Sequence, residues 1–132
     1  MKGSLLVIVV LVLAVIVGVT LSRKPTVADE PGDDDVIEQL RLGGSNLSKP
    51  HPIDFYIYVP SQEAAQRVAD VLSSRGFHVV VEPSASDSKW LALASKQVIP
   101  TSSTLAQLRH DLTLLASSER GDYDGWEAAV VK

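Results

Sequence analysis

The chain contains no cysteine among its 132 residues, and its aromatic residues are few: two Trp, three Tyr and two Phe. The absence of cysteine excludes a disulfide framework, a cysteine-ligated zinc site and a thiol nucleophile. The three histidines, at positions 51, 78 and 110, have no metal-ligand spacing, and we interpret each as a surface residue. No glycine-rich phosphate loop follows a predicted strand, and no serine lies in a nucleophile elbow. We therefore expect a protein that is not an enzyme and uses no cofactor or metal.

A long apolar run lies near the N-terminus. The seventeen residues from Leu5 to Leu21 carry no charge, and fourteen of them are Leu, Ile or Val. As a helix at about 1.5 Å per residue the run covers about 25 Å, close to the roughly 30 Å hydrocarbon thickness of a bilayer. We interpret residues 1–23 as a transmembrane anchor in the cell (inner) membrane. A cleaved signal peptide and a buried soluble segment are the alternatives, and the length of the run disfavours the former.

Charge on both sides of this run bears on topology and on partners. Lys2 precedes the run and Arg23 and Lys24 follow it, a small bias that favours a cytoplasmic C-terminal part. From Pro25 onward nine Lys and Arg stand against sixteen Asp and Glu, a net charge of −7. This acidity disfavours direct binding of nucleic acid and favours a basic protein partner.

The remaining pattern predicts a linker over residues 24–32 and one domain over residues 33–132. The aspartates at 33–35 precede a short helix that Gly43 and Gly44 end; Asp35 and Glu38 have the spacing of a capping box, and a metal site is the alternative for the triplet. Alternation and turn residues predict strands at 53–59, 77–82, 89–96 and 126–131, with helices after Ser61 and over 101–120. This βαββαβ order is typical of a ferredoxin-like α+β sandwich, with two helices on one face of the sheet.

The other face of the predicted sheet is the candidate partner-binding surface. Strand alternation places the following residues on it or beside it: Asp54, Tyr56, Tyr58, His78, Trp90 and Trp126. In the strand 89–96 the same alternation assigns Leu91 and Leu93 to the core. Large amphipathic rings on a solvent-facing sheet indicate a protein interface. Two alternatives are that the short helix folds back over the rings, or that the rings stack on RNA bases, which the negative charge disfavours.

Several stretches resemble a known family. They are Leu47 to Pro60, Gly76-Phe77 with Val80 to Pro83, Trp90 to Ala94, and the Tyr-Asp-Gly-Trp-Glu-Ala segment at 123–128. Over roughly Gly32 to Val130 the chain is similar to the regulator of ribonuclease activity B family. The resemblance implies a ferredoxin-like fold, no catalytic activity, and binding to ribonuclease E, the endoribonuclease that initiates RNA decay, whose activity such proteins inhibit.

The resemblance also bears on the partner and on the location. The bound scaffold region of ribonuclease E is rich in arginine, which agrees with the acidity of this domain. That enzyme lies at the cytoplasmic face of the bacterial inner membrane, which favours a cytoplasmic domain here. The apolar run from Leu5 to Leu21 is an addition to the family's pattern. A small-molecule-sensing or assembly domain without a ribonuclease partner is therefore the alternative function.

Overall fold

The computed structural model describes residues 7–8, 32–85 and 87–132. In chain order its elements are β1 (Val7–Ile8), α1 (Asp33–Leu42), β2 (His51–Val59), α2 (Gln62–Ser74), β3 (His78–Pro83), β4 (Trp90–Val98), α3 (Ser102–Ser118) and β5 (Asp122–Ala129). From β2 to β5 this is the predicted βαββαβ order. The strands form one sheet in the order β1-β5-β2-β4-β3, and every neighbouring pair is antiparallel.

The two βαβ units interleave in this sheet. Strand β4 lies between β2 and β3, and β2 lies between β4 and β5. A helix crosses over between β2 and β3 and another between β4 and β5, so each unit is split by a strand of the other. This is the arrangement of a ferredoxin-like sandwich, and the antiparallel sheet with helices on one face agrees with the predicted α+β class.

The core lies between the helices and one face of the sheet. Strand β2 alternates between buried and partly exposed positions, and Ile53, Phe55, Ile57 and Val59 are all 0% exposed. They cluster with buried residues of α2 such as Val68 and Leu72, and with Leu105, Leu112 and Ala116 of α3. Ser61 caps α2 by accepting a hydrogen bond from the Ala64 amide at 3.1 Å. The burial pattern of β2 confirms the alternation predicted for this strand.

The short helix α1 belongs to the same layer as α2 and α3. Its buried residues Val36 and Leu40 join the core cluster, and α1 contacts α3. The alternative in which this helix folds back over the other face of the sheet is therefore wrong. The physical reason is a set of polar contacts from the N-terminal turn of α1, which ties the helix to α3 and β5.

The aspartate triplet makes these contacts, and each carboxylate has a different partner. Asp33 accepts a hydrogen bond from the Trp126 indole at 3.1 Å, and Asp34 accepts one from the Ser102 hydroxyl. Asp35 accepts the Gly32 amide at 3.2 Å, so the helix begins one turn earlier than the predicted capping pair implies. Since Gly32 is the N-cap, Glu38 lies inside the helix and binds Arg41 instead.

His51 is also placed differently from the prediction. It begins β2 and is 0% exposed, whereas the sequence predicted a surface residue in a loop. Its Nδ1 lies 2.8 Å from the Lys49 carbonyl oxygen, which can only accept, so Nδ1 carries a proton. Its Nε2 lies 2.7 Å from the Ser45 hydroxyl, which itself accepts the Val131 amide at 2.8 Å. This network joins the loop before β2 to the C-terminal segment.

Only two residues of the apolar run belong to the described part of the chain. Val7 and Ile8 pair with Ala129 and Ala128 of β5 as a strand, so the predicted helix is wrong at these two positions. The physical reason is that the outer edge of β5 offers backbone groups that an extended segment can pair with. The rest of the predicted anchor and the linker up to residue 31 lie outside the described residues. No helix of the described segments is long and apolar enough to cross a membrane.

Candidate protein-interaction face

The face of the sheet opposite the helices presents alternate side chains of β2. Asp54, Tyr56 and Tyr58 are partly exposed there, between the fully buried residues of the same strand. His78 of β3 pairs with Ser95 of β4, which donates a hydrogen bond to Asp54 at 2.7 Å. Four of the six predicted site residues therefore lie on one face: Asp54, Tyr56, Tyr58 and His78.

Strand β4 has the opposite orientation to the predicted one. Leu93 pairs with Tyr56 and Leu91 with Tyr58, and directly paired residues of antiparallel strands share a face. Ala92 and Ala94 instead pair with Ile57 and Phe55, and both alanines are 0% exposed. Small side chains at these positions let the helices approach the sheet closely. The prediction that Leu91 and Leu93 face the core is wrong.

Trp90 consequently lies on the helix-covered side of the sheet. It pairs with Val59 and packs against the core cluster. The sequence placed Trp90 on the interaction face because both parities of β4 are apolar, so alternation alone did not distinguish them. Trp90 is therefore removed from the candidate surface.

Trp126 is likewise a core residue. It pairs with Phe55 and is 5% exposed, and its indole donates to Oδ1 of Asp33. The other oxygen of Asp33 is buried and accepts no hydrogen bond, but the Arg109 guanidinium lies 2.8 Å from it and compensates its charge. Trp126 thus anchors α1 to the sheet and is not available to a partner.

The register places eleven side chains on the surface that we call the open face. Its members are Asp54, Tyr56, Tyr58, His78, Val80, Glu82, Leu91, Leu93, Ser95, Asp122 and Glu127. They form three rows across the strands, with an apolar middle row of Tyr56, Leu93 and Val80. Val80 and Leu93 were not predicted for this face. Positions 79–81 are all apolar, however, and since successive strand residues point to opposite faces, not all three can lie in the core.

Carboxylates border this apolar centre. Asp54 and Glu127 are directly paired across β2 and β5, and Asp122 and Glu82 end the row that contains Tyr58. Like charges directly opposite each other are unfavourable, and the directly paired Asp54 and Glu127 each accept a hydroxyl hydrogen bond. Ser95 donates to Asp54 at 2.7 Å, and Tyr56 donates to Glu127 at 2.6 Å.

The electrostatics of the open face are negative. Burial raises the pKa of Tyr56 above its ordinary value, and the hydrogen bond to Glu127 adds to the shift. Burial also raises the pKa of Tyr58, followed by repulsion from the carboxylates of Asp124, Asp87 and Glu82. Strands β2 to β5 contribute no Lys or Arg to this face, and Lys89, which precedes β4, lies 3.9 Å from Asp122 at its border. Their one cation, Lys96, lies on the helix side, 4.7 Å from the centre of the Phe77 ring.

Of the two described cavities, only the smaller reaches the open face, at Tyr58 and Asp122. One of 570 Å³ lies beside α3 and is lined by residues such as Val98, Ile99 and Leu108. A smaller one of 220 Å³ lies at the end of the sheet between Tyr58, Lys89 and Arg120. Within the described residues no group of three or more His, Asp or Glu could hold a metal ion. The open face itself combines an apolar centre with an acidic border.

One family of known proteins matches the chain. A comparison with curated protein sequences gave no match. The sequence model of one family, described as regulator of ribonuclease activity B, matches residues 31–128. This range contains α1 to α3, nearly all of β5 and every residue of the open face. Because the match spans well over half of the chain, the protein belongs to the regulator of ribonuclease activity B family.

Proposed function

We propose that this protein is a membrane-anchored, non-catalytic regulator that binds a basic segment of ribonuclease E and limits its activity. The family match over residues 31–128 is the observation that carries the proposal. The acidity of the domain supports a basic partner, since opposite surface charge steers two proteins together and favours their correct orientation.

The open face is the surface we assign to this partner. The sequence-predicted residues that remain on it are Asp54, Tyr56, Tyr58 and His78, and the register adds Leu93, Val80 and Glu127. Tyrosine rings and leucines supply apolar contact area, and the carboxylates supply charge. Two properties that a protein interface needs thus occur on one side of the sheet.

We further propose that the apolar run holds the domain at the cytoplasmic side of the inner membrane. Between Leu5 and Leu21, the twelve Leu, Ile and Val residues other than Val7 and Ile8 of β1 support this, because each favours insertion by about 0.3–0.6 kcal/mol near the bilayer centre. Fractionation of lysed cells tests it. The full-length chain is expected in the membrane fraction and a chain lacking residues 5–21 in the supernatant. Recovery of both in the supernatant would refute the anchor.

The regulatory proposal is tested with purified ribonuclease E and the full-length chain. Cleavage of a labelled RNA should slow as the chain is added, and the inhibition should weaken as salt shortens the Debye length from about 10 Å at 0.1 M to about 3 Å at 1 M. Unchanged cleavage at every chain concentration and at low salt would show that ribonuclease E is not the target.

A matched pair of double variants tests the role of charge. Asp54→Asn with Glu127→Gln removes two carboxylates from the open face, and Glu63→Gln with Asp70→Asn removes two exposed carboxylates from α2. Both change the net charge by two. Only the first pair should weaken inhibition, chiefly by lowering the association rate. Equal effects of both pairs would mean that overall charge, and not the open face, determines binding.

A further inference from the structure

Within residues 32–132, no helix covers the open face as the helices cover the other side of the sheet. All three helices of residues 32–132 pack against one face. On the other, Tyr56, Leu93 and Val80 form one row and Tyr58 and Leu91 the next. Val80 is 42% exposed, whereas Leu91 is 7% exposed. When a sheet has apolar side chains on both faces, those on the second face are buried only when a further layer packs against it.

The backbone of the central strands restricts what can bind there. Strands β2 and β4 each have neighbours on both sides, so their amide and carbonyl groups are already engaged in the ladders. An extended segment lying over them would find no backbone partners and would pair at a sheet edge instead. A helix satisfies its own backbone groups and needs only side-chain contacts.

The dimensions of the apolar patch agree with a helix. Neighbouring strands lie about 4.8 Å apart, so β2 and β4 together support one helix of about 10 Å diameter. The two rows that contain Tyr56 and Tyr58, together with the polar row of Asp54, extend roughly 13 Å at about 3.3 Å per strand residue. That length corresponds to about nine helical residues, or two and a half turns.

The charges define the sides of such a helix. Glu127 and Asp122 of β5 lie along one side of the patch, and Glu82 of β3 lies on the other. Asp54 of β2 lies at one end of the patch, and Lys89 lies 3.9 Å from Asp122. A helix along β2 and β4 would therefore place its apolar stripe on the rings and leucines, with both flanks over carboxylates. Positive charge on those flanks, most of it on the β5 side, complements this border.

We propose that the open face binds a basic amphipathic helix of the partner protein, which lies along β2 and β4 and adds a third layer to the fold. This rests on the proposed function and specifies the conformation and chemistry of the segment that the partner must supply. The helix carries apolar residues at i, i+3, i+4 and i+7, with Arg or Lys on its flanks.

A synthetic peptide tests the proposal on the purified full-length chain. The probe has about eighteen residues, a leucine stripe at helical spacing and arginines on its flanks. The control peptide has the same composition, permuted so that no stripe forms. Fluorescence anisotropy of labelled peptide should show the control binding at least about tenfold more weakly, and circular dichroism should show added helix on binding. Equal affinity of both peptides, or binding without added helix, would overturn the proposal.

Variants locate the bound helix. Leu93→Glu should weaken peptide binding at least about tenfold, whereas Leu114→Glu, at a 58% exposed position of α3, should leave it unchanged. Circular dichroism checks folding, and Val80→Glu on the edge strand β3 replaces Leu93→Glu if the latter unfolds. Undiminished binding by the folded variant would show that the helix binds elsewhere. A dimer that Leu93→Glu dissociates in light scattering, without weakening peptide binding, would assign the face to a second copy.

The same variants separate this inference from the proposed function. Should Leu93→Glu inhibit ribonuclease E as well as the unaltered chain does, the regulator assignment stands and the binding face is wrong. Should the unaltered chain not inhibit ribonuclease E, but bind the peptide in a manner that depends on Leu93, the face is right and the target is wrong.

Discussion

Replacing Trp126 by Phe tests the contact that holds α1 on the helix-covered side of the sheet. The change removes the indole donor that lies 3.1 Å from Asp33 while keeping an aromatic ring in the core. A hydrogen bond to a charged group contributes about 1.5–3 kcal/mol, and the smaller ring loses up to about 1 kcal/mol of apolar burial. Asp33 keeps Arg109 beside it and its side chain is 14% exposed, which reduces the penalty.

The expected loss of unfolding free energy is therefore about 2–3 kcal/mol. For a domain of this size each kcal/mol lowers Tm by about 4–8 °C, so Tm should fall by roughly 10–20 °C in a calorimetric melt. Hydrogen exchange gives a second measurement. The amides of α1 should exchange faster in the variant, while those of β2 and β4 change only with the global stability.

Trp90→Phe is the matched control. Trp90 is partly buried and packs against the same core, but its indole does not donate a hydrogen bond to Asp33. It should therefore lose only the burial contribution, about 1 kcal/mol or less. If both variants lowered Tm equally, or if α1 exchanged at its normal rate in Trp126→Phe, the contact with Asp33 would not be what positions this helix.

Two further predictions concern the core and the tyrosines. Leu112→Ala, at a 1% exposed position of α3, should cost about 2–5 kcal/mol, and Leu108→Ala should cost less than half as much because Leu108 is only partly buried beside a cavity. Equal losses in urea titrations would contradict this account of α3. Burial raises the pKa of all three tyrosines, Tyr56, Tyr58 and Tyr123, in the folded chain. The folded state thus holds these protons to higher pH than the unfolded state does, so the associated stability is complete below about pH 10 and is lost as pH rises above it. Absorbance at 295 nm should titrate at higher pH for the folded chain than in urea, and coinciding curves would show that the rings are solvated.

The strands show where reasoning from sequence succeeds. In β2 every second residue is apolar and the intervening ones are Asp54, Tyr56 and Tyr58, so alternation identified the correct faces. In β4 both parities are apolar, and local pattern does not distinguish them. The choice depends on α2, which contacts β4 and leaves room only for small side chains at Ala92 and Ala94.

A bulge explains the error at β5. Phe55 pairs with Trp126 and Ile57 with Tyr123, so the one residue between them in β2 lies opposite two residues of β5. Gly125, with φ of 96°, adopts the left-handed conformation that such a bulge requires. The period of two is interrupted there, and Tyr123 and Trp126 both face the core although they are three residues apart. Strict alternation counted from Trp126 does not take this bulge into account.

The sequence by itself determined the acidity of the domain, the absence of cysteine chemistry, the βαββαβ order and the family resemblance, because each depends on composition or on patterns between near neighbours. Only the tertiary structure decided the face of Leu93, the burial of Trp126 and His51, and the side of the sheet on which α1 packs. Those outcomes depend on contacts between segments far apart in the chain. Where a strand or helix is apolar on more than one side, such contacts alone select the side that is buried.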